Sequence, residues 1–369
     1  MRLSKSSVLL VVGLCACAVS CSPMESPENR QVAVDPRGSK SVFDLTLIPF
    51  LKITVSPTEC RAKSDNSSGI CSTSDNCRTD RGKEDGTCAN GYGVCCVYEK
   101  KCGGTVNKNI TYLVNDAYPE ALKDIGNCQY IIEKANSNVC QLRLDFLSMT
   151  LKGPGEDTTC DTDTFTFVGT AGANPTVICG TNTGQHMYLD LAPGSAAARI
   201  NIATTDKETD RSWRIKVTQI ACNSPDKAPP NCLQYYTEYS GTLSTFNYKN
   251  EDGIHQLGNQ RYSICIKTRE GFCGIKYSSE SFSLSGDGAT GADAAGKDGD
   301  TDCAKDYVLI PSLKKDGTPE KDRRCGNAFL DFTTYSQPFE VRVVTDGEEV
   351  QADEPNNRGF SMRYTQIPC

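Results

Sequence analysis

The 21 cysteines of this 369-residue chain restrict its fold more than any other feature. Cys15, Cys17 and Cys21 lie in or beside an apolar N-terminal stretch, so cleavage after Cys21 would leave an even number, eighteen. Cleavage one residue earlier would leave Cys21 unpaired. An even set of regularly spaced cysteines in a secreted chain indicates a disulfide framework formed in an oxidising compartment.

The N-terminus predicts secretion. Arg2 and Lys5 precede an apolar run, Val8 to Val19, and small residues follow up to Cys21. This order is typical of a signal peptide, here residues 1–21, and the run is shorter than the roughly 20 residues that cross a membrane. A lipoprotein site at Cys21 is the alternative, although Ala18 stands where such a site prefers Leu. We expect a secreted, extracellular protein with no transmembrane segment.

Two parts of the chain repeat one another, residues 102–222 (the first repeat) and residues 232–369 (the second repeat). Residues 211–222 align with 358–369, and both segments end in Thr-Gln-Ile-x-Cys. The other matches, in the same order in both copies, are Cys160 and Asp163 with Cys303 and Asp306, Cys179-Gly180 with Cys325-Gly326, and Thr205-Asp206 with Thr345-Asp346. Such internal similarity indicates two copies of one structural unit.

Each repeat holds six cysteines, which allow fifteen pairings, so the sequence alone does not settle their connectivity. We expect the two copies to match. The proposed pairs are Cys102–Cys128, Cys140–Cys222 and Cys160–Cys179 in the first repeat, and Cys232–Cys265, Cys273–Cys369 and Cys303–Cys325 in the second. Cys140 and Cys273 each open an alternating strand that could lie beside the closing strand.

Alternation of apolar and polar residues predicts half-buried strands. Leu142, Leu144 and Phe146 face one way, and Ile215 and Val217 alternate with polar neighbours. The predicted fold class is all-β, with two tandem β-sandwiches. Helical periodicity is weak, and the one plausible stretch, residues 118–125, is at most a single turn. Residues 22–59 form a polar linker with an apolar segment. Residues 60–96, with six cysteines and few apolar residues, form a small disulfide-rich module (the mini-domain).

The first repeat resembles the CUB domain. The residues that carry the resemblance are Cys102-Gly103-Gly104, Tyr118-Pro119, Cys128-Gln129-Tyr130-Ile131-Ile132, Cys160 with Asp163, Cys179-Gly180, and Trp213-Arg214-Ile215. The second repeat resembles a divergent CUB domain, because Tyr262 stands where the family's second Cys is expected and Cys265 follows three places later. The resemblance implies jelly-roll sandwiches that recognise proteins and sometimes glycans, often with calcium.

The mini-domain resembles the clip-type module of arthropod extracellular proteins. The similarity rests on Cys88 to Cys96, with the adjacent pair Cys95-Cys96, running closely into Cys102-Gly103-Gly104. The whole arrangement is similar to arthropod secreted proteins that contain CUB domains.

A calcium site of the CUB type would need one Glu and two Asp. Asp163 and Asp206 match the two Asp positions, but Lys152 falls at the Glu position, so this site is expected to be lost unless Glu156 or Asp157 substitutes. The second repeat has Asp306 and Asp346, with Ser285 at the Glu position. Its acidic loop holds Asp287, Asp293, Asp298, Asp300 and Asp302, which could supply a ligand or form a solvated, flexible loop. We expect no cofactor, with calcium as the alternative.

Charge and histidine content argue against two further functions. The net charge of −7 gives no basic face for nucleic acid. His186 and His255 are the only histidines, and neither lies in a nucleophile or zinc context; His186 sits in an alternating run typical of a strand. An enzyme is therefore not expected.

The leading hypothesis is an extracellular recognition or adhesion protein that binds a protein or a glycan through its CUB-like domains. Tyr235, Tyr236 and Tyr239 are candidate contacts, although inward packing explains them equally well. The alternatives are a non-catalytic regulator or scaffold of an extracellular protease cascade, and a structural component of a matrix or fluid. The sequons at Asn66 and Asn109 predict a glycoprotein. The oligomeric state is left open.

Overall fold

A computed structural model describes residues 54–155, 157–171, 176–194, 197–249, 251, 255–284, 296–299, 301–347 and 357–369. The predicted signal peptide, most of the linker, Glu156, Ser285 and three of the loop aspartates (Asp287, Asp293 and Asp300) lie outside the described residues. Within the described ranges, no helix is long and apolar enough to span a membrane.

The mini-domain is one small antiparallel sheet with a short α-helix and a 3-10 turn beside it. Its elements are β1 (Glu59–Arg61), β2 (Ser68–Ser72), α1 (Ser74–Thr79), β3 (Lys83–Cys88), a 3-10 turn (Ala89–Gly91) and β4 (Gly93–Val97), with sheet order β1-β2-β4-β3. Helix α1 begins where the Thr73 hydroxyl accepts the Asn76 amide. Disulfides Cys60–Cys95, Cys71–Cys88 and Cys77–Cys96 hold the unit together, as its small apolar content requires.

The first repeat forms a sandwich of two sheets. One strand, β5 (Glu99–Lys100), comes from the segment just before the repeat. The strands of the repeat itself are β6 (Thr105–Val106), β7 (Ile110–Val114), β8 (Gly126–Glu133), β9 (Val139–Thr150), β10 (Asp163–Val168), β11 (His186–Asp190), β12 (Ala197–Thr204) and β13 (Ser212–Ala221). The sheet orders are β10-β12-β8-β6 and β11-β9-β13-β7-β5. Residues 118–125 hold a turn and extended chain, with no helix.

The second repeat forms a second sandwich. Its strands are β14 (Cys232–Tyr236), β15 (Ser240–Ser244), β16 (Arg261–Ile266), β17 (Phe272–Ser283), β18 (Lys297–Asp298), β19 (Tyr307–Leu309), β20 (Arg323–Cys325), β21 (Phe332–Thr334), β22 (Phe339–Val344) and β23 (Gly359–Pro368). The sheet orders are β14-β16-β22-β19-β20-β18 and β15-β23-β17-β21. The predicted all-β class, with two sandwiches behind a disulfide-rich module, is confirmed.

The alternation read from the sequence determines which side chains fill the cores. Trp213, Ile215 and Val217 of β13 are fully buried, while Arg214 and Lys216 between them point to the other side of the sheet. The indole Nε1 of Trp213 donates to the Tyr130 hydroxyl at 2.9 Å, and that hydroxyl donates to the Val114 carbonyl at 2.6 Å. The largest core side chain therefore has a partner for its polar atom.

Every disulfide of the two sandwiches joins cysteines of one repeat. The structure pairs Cys102 with Cys128, Cys140 with Cys222, Cys160 with Cys179, Cys232 with Cys265, Cys273 with Cys369, and Cys303 with Cys325. The Cys160–Cys179 and Cys303–Cys325 bridges stand beside the acidic loops on which the candidate site was predicted.

Candidate functional site

Asp163 opens strand β10 and is fully buried together with Arg211, which immediately precedes β13. The Arg211 guanidinium grips both carboxylate oxygens, through Nε to Oδ2 at 2.5 Å and Nη2 to Oδ1 at 2.9 Å. The backbone amides of Lys152 and Thr205 donate to the same carboxylate at 2.8 Å and 3.3 Å. A buried, bidentate and further hydrogen-bonded pair of this kind satisfies the carboxylate completely.

Asp206, the second predicted ligand, is also engaged by protein groups. Its carboxylate accepts the Glu208 amide at 2.9 Å and the Thr209 hydroxyl at 2.6 Å, and these hydrogen bonds lower the pKa of Asp206. The Lys152 ammonium lies 3.6 Å from Oδ2. Lys152 therefore places a positive charge beside the acidic loops, as its position in the sequence indicated.

The residues of the first repeat that the structure describes, which do not include Glu156, do not fit a calcium ion. Calcium takes six to eight oxygen ligands, whereas the Asp163 oxygens are bound to a guanidinium that a metal would have to displace. Asp157, the predicted substitute ligand, binds the amide and hydroxyl of Thr159 at 3.2 and 2.8 Å. Among the residues that the structure describes, no three His, Cys, Asp or Glu side chains gather as a metal site would require.

In the second repeat, Asp306 is buried and accepts hydrogen bonds from protein donors. The Asp346 amide donates to its Oδ1 at 2.8 Å, and the Gln256 side-chain amide donates to Oδ2 at 3.3 Å. The carbonyl of Asp346 accepts the Asn259 amide at 2.7 Å. Asp298, from the acidic loop, forms an ion pair with Lys321 at 2.9 Å. Asp306 therefore accepts hydrogen bonds through its side chain, Asp346 takes part through its backbone, and Asp298 forms an ion pair.

His186 lies where the two repeats meet, on strand β11 as its alternating context predicted. Its Nε2 is 3.1 Å from both the amide nitrogen and the carbonyl oxygen of Tyr235, on β14. Its ring packs edge-on against Tyr188 and Tyr236. Burial, followed by the nearby charge of Arg143, lowers the pKa of His186 to about 4. The imidazole is therefore a neutral part of the joint between the repeats at ordinary pH.

The three candidate contact tyrosines separate into two groups. Tyr235 is buried in the joint, and Tyr236 packs against His186 and, at 6.1 Å between ring centroids, against Tyr364. Tyr239 alone is exposed. For Tyr235 and Tyr236 the structure thus favours the inward-packing interpretation over the contact interpretation.

Loops beside the Cys160–Cys179 bridge complete the joint. Asn247 of the second repeat accepts the Thr181 amide at 2.9 Å and donates its own amide to Asn182 at 2.9 Å. The Gly258 amide donates to the Thr158 carbonyl at 2.9 Å. The acidic loops of the first repeat therefore lie against the second repeat, which the sequence did not indicate.

The second repeat carries a cleft with one apolar side and one charged side that the sequence analysis missed. The cleft has a volume of about 610 Å³. Phe329, Leu330 and Phe332 form its apolar side, and the charged side is lined by Lys321, Arg324, Asp298, Glu320 and Asp331. Leu330 is 74% exposed. The Arg324 guanidinium lies 3.7 Å from the centre of the Phe332 ring, and burial lowers the pKa of Arg324. The run Ala328-Phe329-Leu330 between short strands was the available signal.

Both predicted glycosylation sites are on the surface. Asn66 is exposed in a left-handed conformation, with φ of 59°, which Asn tolerates better than most residues. Asn109 is exposed, and its Oδ1 accepts the Gln219 amide at 3.0 Å. Glycosylation at these positions stays a prediction.

Comparisons with known proteins give one family for both repeats. The CUB domain model matches residues 102–217, and the animal CUB domain model matches residues 229–367. No curated protein matches the chain.

Solved structures with similar chains include CUB-domain proteins. The CUB1-EGF-CUB2 domains of rat MASP-1 are 14% identical, with 73% of this chain and 100% of that chain covered and a TM-score of 0.26. The same domains of human MASP-1/3 are 14% identical, with 70% and 100% covered and a TM-score of 0.26. The full extracellular region of zebrafish Gpr126/Adgrg6 is 9% identical, with 72% and 36% covered and a TM-score of 0.28.

Proposed function

Because the chain belongs to the CUB-domain family, with two such domains in tandem, we propose that it is a secreted recognition protein that binds another extracellular protein. CUB domains commonly mediate protein binding. The proposed domains are the first repeat (the first CUB domain) and the second repeat (the second CUB domain), behind the mini-domain. The predicted signal peptide and the many disulfides support secretion.

The apolar side of this cleft in the second CUB domain, formed by Phe329, Leu330 and Phe332, carries this proposal. A single exposed leucine is common on protein surfaces and does not by itself indicate a binding site. Leu330, however, lies next to a cluster of aromatic rings. Phe329 lies 5.1 Å from Phe282 and 5.6 Å from Phe332 between ring centroids. Interface hot spots favour aromatic side chains and arginine beside well-packed apolar groups, and Arg324 on Phe332 supplies that combination.

The test uses the full secreted chain, immobilised and exposed to extracellular fluid from its source, with calcium and with chelator. We expect one defined protein to be captured in both conditions. The variant Leu330→Asp should weaken binding of that purified protein by about thirtyfold or more, because it places a charge in a desolvated contact. Leu147→Asp is the matched control, since Leu147 is 45% exposed on β9 of the first CUB domain.

Three results would contradict the proposal. Equal loss of binding in Leu330→Asp and Leu147→Asp would show that the cleft is not the binding site. Loss of binding after the captured protein is deglycosylated would make a glycan the ligand. Self-association without a partner would favour a structural component of a matrix or fluid.

A second candidate function is a scaffold role in an extracellular protease cascade, with the clip-like mini-domain as the docking unit. Tyr92, 70% exposed just beyond the Ala89–Gly91 turn, favours it. Deletion of residues 60–96 would also uncover Tyr112 of the first CUB domain, whose hydroxyl donates to the Ser68 carbonyl at 3.1 Å. Tyr92→Ala is therefore the sharper test, and unchanged protease binding in this variant would contradict this function.

A further inference from the structure

The Arg211 guanidinium is surrounded by oxygen atoms in the way that a bound cation would be. Besides both oxygens of Asp163, it reaches the Thr209 carbonyl through Nη1 at 3.1 Å and the Asp206 carbonyl through Nη2. Carboxylate and carbonyl oxygens are the ligands of hard cations in proteins. Here an internal side chain occupies the centre of such a set.

The oxygen atoms around Arg211 are connected to the loops of the first CUB domain that contact the second CUB domain. The Lys152 amide donates to Asp163, and the Lys152 carbonyl accepts the Gly180 amide at 3.0 Å. Gly180 lies directly against Asn247 of the second CUB domain, since a Cβ at this glycine would stand 1.9 Å from the Asn247 Oδ1. A short chain of contacts therefore links Arg211 to the joint.

We propose that Arg211 is the resident cation of the first CUB domain, and that it holds the loops of the joint in place of a metal ion. A guanidinium that is part of the chain cannot dissociate, and it presents five donors in a fixed plane. The placement of the two CUB domains is therefore independent of calcium. Asp306 and Arg358, aligned with Asp163 and Arg211, place the same residue types in the second CUB domain.

The first experiment compares the wild-type chain in calcium and in chelator, without any partner. Thermal unfolding gives the melting temperature, and small-angle X-ray scattering gives the radius of gyration. We expect neither value to change with calcium. A bound ion would raise the melting temperature by mass action, so a calcium-dependent rise that Asp163→Asn abolishes and Asp306→Asn retains would overturn the proposal. A rise that only Asp306→Asn abolishes would contradict the calcium independence of the joint, because Asp306 binds the Asp346 amide, and the Asp346 carbonyl accepts the Asn259 amide beside Gly258.

The second experiment removes the internal cation. Arg211→Ala leaves a buried carboxylate uncompensated, and in chelator we expect its melting temperature to fall by about 6 °C or more. Calcium should restore part of this loss, a response that a packing role alone would not give. Arg211→Lys, which keeps the charge but has fewer donors, should melt between the two. An Arg211→Ala chain as stable as wild type, or one equally unstable with calcium and chelator, would contradict the proposal.

Discussion

The first CUB domain meets both neighbours through buried side chains, but the charged and titratable groups at the two joints differ. On the mini-domain side, a buried apolar cluster includes Ile70 and Tyr112. Arg214, which lies 4.5 Å from the centre of the Tyr112 ring within the first CUB domain, donates across this joint to Ser67 at 2.7 Å and Asp65 at 3.2 Å. On the other side, the joint is formed by His186 and tyrosine rings that are largely buried. Charges near water are screened by salt, whereas buried titratable groups respond to pH. Salt should therefore weaken only the mini-domain joint, and acid should weaken the joint at His186.

The largest effect is expected from a glycine in the joint between the CUB domains. Gly180→Ala would place a methyl group against Asn247, whose amide and side chain are both committed to the joint. Because φ is +73° at this glycine, the new side chain would also be strained. We expect unfolding free energy to fall by about 3–5 kcal/mol, measured by urea denaturation.

The control is Gly184→Ala, which shares the positive φ, +86°, but has no neighbour within 4 Å of its Cβ position. This variant introduces backbone strain without a clash, and its unfolding free energy should fall by about 1–2 kcal/mol. Equal losses in the two variants would contradict the prediction, because they would mean that the added methyl group meets Asn247 at no cost in free energy.

The second prediction concerns pH and the same joint. The pKa of His186 falls from its ordinary value of 6.5 to about 4 in the folded chain, so the unfolded chain binds the proton first as pH decreases. Stability from the neutral imidazole is fully present above pH 6.5 and is lost as pH falls towards 4. The difference between these two pKa values corresponds to about 3 kcal/mol of unfolding free energy.

Denaturation of wild type and His186→Gln between pH 7 and about 4 measures this loss. The part of the pH dependence of unfolding free energy that His186 causes should disappear in His186→Gln. The charged groups that act on this imidazole are Arg143, which opposes protonation, and Asp145, which favours it. His255→Gln, which removes the other histidine, is the control, and a slope lost there instead would contradict the prediction.

A smaller effect is expected at the mini-domain joint. Arg214→Ala removes the two side-chain hydrogen bonds that cross to Ser67 and Asp65, and should weaken docking of the mini-domain by about 1–2 kcal/mol. Hydrogen exchange at Ser67 to Ile70 reports the opening, and added salt should weaken the wild-type joint in the same direction.

Arg61→Ala is the matched control for Arg214→Ala, since Arg61 pairs with Glu59 at 3.5 Å through largely exposed side chains. Such surface pairs contribute little. Exchange at Ser67 to Ile70 that rises as much in this control as in Arg214→Ala would show that the joint does not depend on the stacked arginine.

The sequence predicted the interiors of the modules better than their joints. Alternation at Leu142, Leu144 and Phe146 specifies a buried face, because side chains alternate across a strand, and β9 buries these residues. The same rule placed His186 on a strand. It could not show that β11 would lie beside β14, since two edges of different sandwiches meet through surface shape and not through periodicity.

Helix α1 and Arg211 show two other limits of the sequence. Six residues are too few to establish a 3.6-residue period, so α1 was not predicted, although Thr73 has a typical capping side chain. Arg211 was visible as a charge that opens an apolar strand in both repeats, at 211 and 358. Its role needed the structure, because only the fold brings it to Asp163, 48 residues earlier.

The smallest effect is expected at the edge of the mini-domain joint. Asn66→Asp removes the predicted glycan site while it keeps a residue that tolerates a left-handed backbone. Asn66 is exposed and adjoins Asp65 and Ser67, which contact Arg214. We expect loss of a glycan by mass spectrometry, with unfolding free energy changed by less than about 0.5 kcal/mol. Increased exchange at Ser67 to Ile70 in Asn66→Asp would instead show that the glycan stabilises this joint, which would then differ from the joint at His186 in a further respect.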